Sequence, residues 1–103
     1  LPADSFIFLG FLPRSKGKIV RSLRKAFELE KTVILYESPF RIKKFLELVI
    51  SEFGPGTETV VARELTKIYE EWLKGTALEV FKKLEAVKEV KGEIVVLLRP
   101  PAV

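Results

Sequence analysis

Three short segments of this chain carry side chains of the kind that bind small molecules or phosphates. In Tyr36-Glu37-Ser38-Pro39-Phe40-Arg41, a carboxylate and a hydroxyl stand where a strand gives way to a helix. Free N–H groups and the positive end of a helix favour negative charge at such a place. In Arg63-Glu64-Leu65-Thr66-Lys67, both signs of charge close another apolar run. In Pro13-Arg14-Ser15-Lys16-Gly17-Lys18, basic residues surround a helix start, where a phosphate can sit on free N–H groups. The glycine spacing is not that of a Walker loop. Each segment has a plain structural alternative: a Glu37–Arg41 pair at i, i+4, a solvated turn, and a solvated loop. Tyr69 and Trp72 are suited to stacking on bases, or to the core or a subunit interface.

Much other chemistry is excluded by composition. The 103 residues contain no Cys and no His. A disulfide framework, a thiol nucleophile and a serine–histidine triad are therefore impossible within the chain, and no metal site is expected. Asn, Gln and Met are absent too, while Lys and Glu dominate the charges, a pattern associated with thermophiles. The net charge of +4 and a pI near 9.4 suit an anionic partner such as RNA. No apolar run is long enough to span a bilayer and no signal peptide is recognisable, so a soluble, cytoplasmic protein is expected. The absence of an initiator Met points to a piece of a longer or processed protein.

Several elements must position these segments. Phe6 to Phe11 is an almost continuous apolar run and reads as a buried strand. Ser15 caps a helix with Ile19, Val20, Leu23 and Phe27 on one face. Thr32 to Tyr36 is a second buried strand. Ser38 at N-cap and Pro39 at N1 open a second helix, which Gly54-Pro55-Gly56 ends. Thr59 to Ala62 is a third strand, Arg63 to Lys67 a polar turn, and Ile68 to Lys74 a half-exposed strand. Thr76 and Glu79 form a capping box for a third helix, and Glu93 to Leu98 is the last strand. The order β-α-β-α-β-β-α-β predicts an α/β fold with a mixed, mostly parallel sheet and helices packed on it. Residues 1–103 form a single domain, with 1–5 the end of an inter-domain linker. Ligands bind beyond the carboxyl ends of strands in such sheets. If strands two and three are parallel neighbours, Glu37 and Thr66 share one concavity.

Four strings carry a closer resemblance: Leu1-Pro2-x-Asp4-x-Phe6 with Gly10-Phe11-Leu12-Pro13-Arg14; Tyr36-Glu37-Ser38-Pro39-Phe40-Arg41; Val61-Ala62-Arg63-Glu64-Leu65-Thr66-Lys67 with Glu70-Glu71 and Gly75-Thr76; and Gly92-Glu93-Ile94-Val95. In order and spacing they resemble the C-terminal half of the ribosomal RNA small subunit methyltransferase I family, within the tetrapyrrole-methylase superfamily. The resemblance covers nearly the whole chain.

It implies an S-adenosylmethionine-dependent enzyme that methylates the ribose 2′-hydroxyl of a cytidine in 16S ribosomal RNA. It also implies two α/β domains with the cofactor between them, and a homodimer. The missing N-terminal domain would carry the glycine-rich part of the cleft, so this chain would supply one wall and be inactive alone. The implied cofactor contacts are Tyr36, Glu37, Ser38, Glu64, Leu65 and Thr66. The candidates for RNA phosphate contact are Arg14, Lys16, Lys18 and Arg41, which flank two helix starts. The family pattern has His after Ser-Pro, where this chain has Phe40. No catalytic base is assigned; from this half it would be Glu37, Glu64, a lysine or water. Two rival readings are a methylase acting on a cobalamin or sirohaem precursor, and a non-catalytic basic RNA-binding module.

Overall fold

The computed structural model of the chain describes residues 5–66 and 68–100, leaving aside the side chains of Leu65, Thr66 and Tyr69. Residues 1–4 of the expected linker and Lys67 of the expected turn lie outside the described residues. The elements are β1 (Phe6–Phe11), α1 (Lys16–Phe27), β2 (Thr32–Glu37), α2 (Ile42–Phe53), β3 (Glu58–Thr66), β4 (Tyr69–Thr76), α3 (Ala77–Glu85) and β5 (Glu93–Arg99).

Local chemistry explains most of the boundaries. The Ser15 hydroxyl accepts from the Lys18 N–H at 3.3 Å and caps α1. Thr76 and Glu79 make a reciprocal capping box at α3. The second helix starts later than its sequence suggests, with Arg41 at N-cap. Ser38 instead opens a turn: its hydroxyl accepts from the Phe40 N–H, and its carbonyl accepts from Arg41 and Ile42. Arg63 to Thr66 is strand and not turn, because β3 pairs with β4 out to the Thr66–Tyr69 pair.

One sheet holds all five strands in the order β1-β2-β5-β3-β4. The α/β layering and the element order match expectation, but the pairing does not. Only β1–β2 is parallel; β2–β5, β5–β3 and β3–β4 are antiparallel. The crossover through α1 sets β2 beside β1, as a parallel pair requires. The crossover through α2 leaves one strand position open, and β5 fills it in the opposite sense. Strands β2 and β3 thus point the same way without touching.

The register sorts the two faces. Leu35, Val96, Val61 and Leu73 form one cross-strand row, and Val33, Leu98 and Thr59 another. These rows meet Leu23 and Phe27 of α1, Ile42, Phe45, Leu46 and Val49 of α2, and Ala77, Val80 and Leu84 of α3 in one core. The other face carries Phe11, Tyr36, Val95, Ala62 and Trp72 in a row across all five strands. No helix among the described residues covers it. Phe6 and Phe8 are 53% exposed, Phe11 67% and Trp72 56%. The first apolar run is therefore an edge strand with one bare face, not a buried strand. The bulge at Leu9-Gly10 keeps Phe11 on the side of Phe8, and Gly10 accommodates it at φ +64°.

Candidate functional site

Strands β1, β2 and β3 all end at the same rim of the sheet, which brings the three chemistry-bearing segments there. On the helix-covered side, the outermost row across β2, β5, β3 and β4 is Glu37, Ile94, Arg63 and Glu71. It caps the apolar rows below with alternating charge.

Glu37 is held from two sides. Its Oε1 accepts from the Ser38 N–H at 2.8 Å and from Arg41 Nε at 3.2 Å. The carboxylate is buried, whereas the guanidinium is half-exposed. With both partners engaged, Glu37 fixes the path of the backbone from Tyr36 to Arg41. It is not a free base. Tyr36 points to the opposite face, where its ring lies 5.2 Å from Phe8 and 5.3 Å from Phe11, centroid to centroid. Phe40 is 88% exposed.

Arg63 is buried at 7% exposure and ion-paired with Glu71. Its Nε has no hydrogen-bond partner among the described residues. Nothing in its sequence context distinguishes Arg63 from a solvated turn residue; its burial follows from the strand continuing to the rim.

Two concavities open near the rim, and they are separate. The larger, about 490 Å³, lies between α1 and α2. It brings together Arg14, Lys16, Glu37 and Arg41, and adds Lys44, which the sequence reading missed although it stands three residues after Arg41 on the same helical stripe. Lys18 does not line it. The smaller, about 250 Å³, lies on the bare face and is lined by Glu64, Glu70, Glu93 and Trp72 among others. Glu64 stands directly opposite both Glu70 and Glu93. Like charges so placed are destabilising in a sheet, so this row is retained at a cost in stability. Glu37 and Glu64 thus share the rim but occupy opposite faces; the concavity expected for Glu37 and Thr66 involves a Thr66 side chain that lies outside those described. Leu65 and Thr66 have only their backbone described, as the end of β3. Among the described residues, no group of three acidic side chains is arranged to hold a metal ion. No helix among them is long and apolar enough to cross a membrane.

The fold has solved counterparts. The methyltransferase CobJ superposes with a TM-score of 0.64 at 18% identity, over 95% of this chain and 42% of that one. The cobalamin biosynthetic enzyme cobalt precorrin-4 methyltransferase, CbiF, gives 0.63 at 19% identity, over 96% and 42%. The chain has the fold of the corresponding part of these two methyltransferases. Sequence relatives narrow the class further. The chain is 42% identical over 99 residues to ribosomal RNA small subunit methyltransferase I of Hydrogenobaculum sp., covering 95% of this chain and 42% of that protein. The Mesorhizobium japonicum protein of the same name is 36% identical over 97% of this chain and 34% of its own length. No protein-family model matches the chain. The chain belongs to the ribosomal RNA small subunit methyltransferase I family, and spans well under half the length of these relatives.

Proposed function

We propose that this chain is the C-terminal domain of an S-adenosylmethionine-dependent methyltransferase. Its reaction is transfer of a methyl group to the ribose 2′-hydroxyl of a cytidine in 16S ribosomal RNA. The observation that carries the proposal is the 42% identity along 95% of the chain to a ribosomal RNA methyltransferase. Of the strings of that resemblance, Tyr36 to Arg41, Arg63 to Glu64 with Glu70-Glu71, and Glu93-Ile94 lie at one rim.

The donors at this rim suit S-adenosylmethionine. That molecule is a net cation, with a sulfonium, an ammonium and one carboxylate, and the exposed carboxylate of Glu64 stands in an acidic row with Glu70 and Glu93. Glu64 and the backbone of Tyr36, Ser38, Leu65 and Thr66 would hold the cofactor from one side, with Glu37 keeping the first of these stretches in place. When bound, the cofactor supplies an electrophilic methyl group. Methyl transfer then asks of the protein mainly alignment of the attacking oxygen. The other wall would come from an N-terminal domain. A single open wall leaves a ligand largely solvated, so the chain alone binds the cofactor poorly and transfers nothing.

The bare sheet face supports the homodimer that the resemblance implies. Glu64, Glu70 and Glu93 stand at one end of that face, and Lys74 and Arg99, with Glu58 opposite Arg99, at the other, which is net positive. Two copies packed face to face about a two-fold axis that runs across the strands would bring each acidic end to the partner's net-positive end.

The test is transfer of a labelled methyl group from S-adenosylmethionine to small-subunit RNA. The longer polypeptide that includes this chain is compared with the 103 residues alone. Activity only in the longer polypeptide supports the proposal. Robust activity of the 103 residues overturns the one-wall reading, and inactivity of the longer polypeptide on RNA overturns the substrate.

A further inference from the structure

The cleft between α1 and α2 is distinct in character from the acidic rim row. Three half-buried apolar side chains, Leu12, Ile19 and Leu48, line it, with Phe45 buried at its base. Four cations surround them: Arg14, Lys16, Arg41 and Lys44. Two carboxylates, Glu37 and Glu47, reach the same space, and Glu37 is already engaged by Arg41. Among the described residues, Arg14, Lys16 and Lys44 take part in none of the ion pairs.

An apolar floor under unpaired cations fits a flat, uncharged ring joined to an anionic chain. S-adenosylmethionine, with a sulfonium, an ammonium and one carboxylate, is a net cation and fits such a site less well than a nucleotide chain does. The volume of about 490 Å³ lies within the range of small-molecule sites. The cleft also has direction. It begins at Glu37, beside the rim, and follows α2 from Arg41 to Ser51. Ten residues at about 1.5 Å each carry it about 15 Å from the rim.

We infer that this cleft is a nucleotide pocket for single-stranded RNA. It takes the unstacked base of a residue neighbouring the methylated one against Leu12, Ile19 and Leu48, and the flanking phosphates on Arg14, Lys16 and Lys44. Arg41, tethered to Glu37, lines the mouth nearest the rim. The neighbour is favoured over the methylated residue because that residue's ribose must meet the cofactor at the rim, while the cleft leads away from it. The inference rests on the RNA reading above. Base reading in single strands, where the ring is free of the stack, is the usual route to RNA specificity.

The test is a fluorescence anisotropy titration of the 103-residue chain with a short cytidine-containing RNA, beside the same RNA lacking its central base. The intact RNA is expected to bind at least threefold more tightly than the abasic one. Leu48→Trp plugs the cleft without altering charge and is expected to abolish that difference. Ser51→Phe, at the exposed far end, serves as a second plug should Leu48→Trp fail to fold by circular dichroism. Lys16→Ala with Lys44→Ala is expected to flatten the salt dependence by about 1.4 units of slope, two lost phosphate contacts at about 0.7 each. Equal binding of intact and abasic RNA, with the salt slope still lowered by the lysine variants, overturns the pocket and leaves the RNA reading standing. Absence of any salt-dependent RNA binding by the chain overturns both.

Discussion

Arg63 and Glu71 are an ion pair whose two members differ sharply in access to water. The Arg63 side chain is 8% exposed and that of Glu71 is 35%. Replacing Glu71 by Met leaves the guanidinium buried, charged and without its counter-ion. Breaking a fully buried pair in this way costs about 3–5 kcal/mol, and an exposed pair about 0–1. With one partner buried and the other a third exposed, the expected cost is about 2–3 kcal/mol. Arg63→Met has a different outcome. Glu71 can turn to water, the orphaned Nε disappears, and the methionine stem fills much of the vacated volume, so stability changes by about 1 kcal/mol or less in either direction. Urea unfolding followed by far-ultraviolet circular dichroism reads both changes. In a domain of this size each kcal/mol moves the melting temperature by about 4–8 °C, so Glu71→Met is expected to melt about 10–20 °C lower. The double variant should resemble Arg63→Met alone, because the two residues couple. Equal losses for the two single variants, or a larger loss for Arg63→Met, refute the burial argument.

Three other outcomes follow from the same geometry. The Thr76 backbone and side-chain hydrogen bonds hold the Glu79 carboxyl below its ordinary value of 4.5. Its contribution is therefore present above that pH and lost as pH falls through the lowered value; the urea midpoint advantage of the wild type over Glu79→Ala at pH 6 should shrink at pH 3. Gly10→Val at φ +64° is expected to cost about 1–2 kcal/mol by chemical denaturation, and an unchanged midpoint would show that the bulge can relax. Trp72→Glu on the bare face should shift self-association toward monomer in sedimentation equilibrium without lowering the melting temperature of the monomer, and an unaltered dimer would place the interface elsewhere.

Local signals made much of the fold legible. The Ser15 cap, the Thr76–Glu79 box and the Gly54-Pro55-Gly56 break depend on neighbours a few residues away, and each marks a real boundary. What the sequence did not reveal depends on distant partners. The insertion of β5 between β2 and β3 is decided by which edge remains open after two crossovers, and no residue of Glu93–Arg99 announces it. Arg63 reads as a turn residue because its charge is visible and its strand partners Glu71 and Ile94 are not. The run from Phe6 to Phe11 reads as buried because hydrophobicity alone does not say whether one face will be covered. The candidate site is legible for the same reason in reverse: Arg14, Lys16, Glu37 and Arg41 sit next to strand ends and helix starts, so parallel β1 and β2 bring them to one cleft. Lys44 escaped because it stands inside the first turn of α2, past the strand end and helix start that mark out the others. Glu64 was legible as a site residue, but its alignment with Glu70 and Glu93 was not, because only the register sets it.

The most direct test is mass spectrometry of nucleosides from small-subunit RNA, after incubation with S-adenosylmethionine and the longer polypeptide that includes this chain. One methyl group on the ribose of a cytidine is expected, lost when Glu37→Ala undoes the turn from Tyr36 to Arg41 while folding is retained. A methyl group on a base, none on RNA at all, or full activity in the Glu37→Ala protein contradicts the assignment of this rim as a wall of the methyl-transfer site.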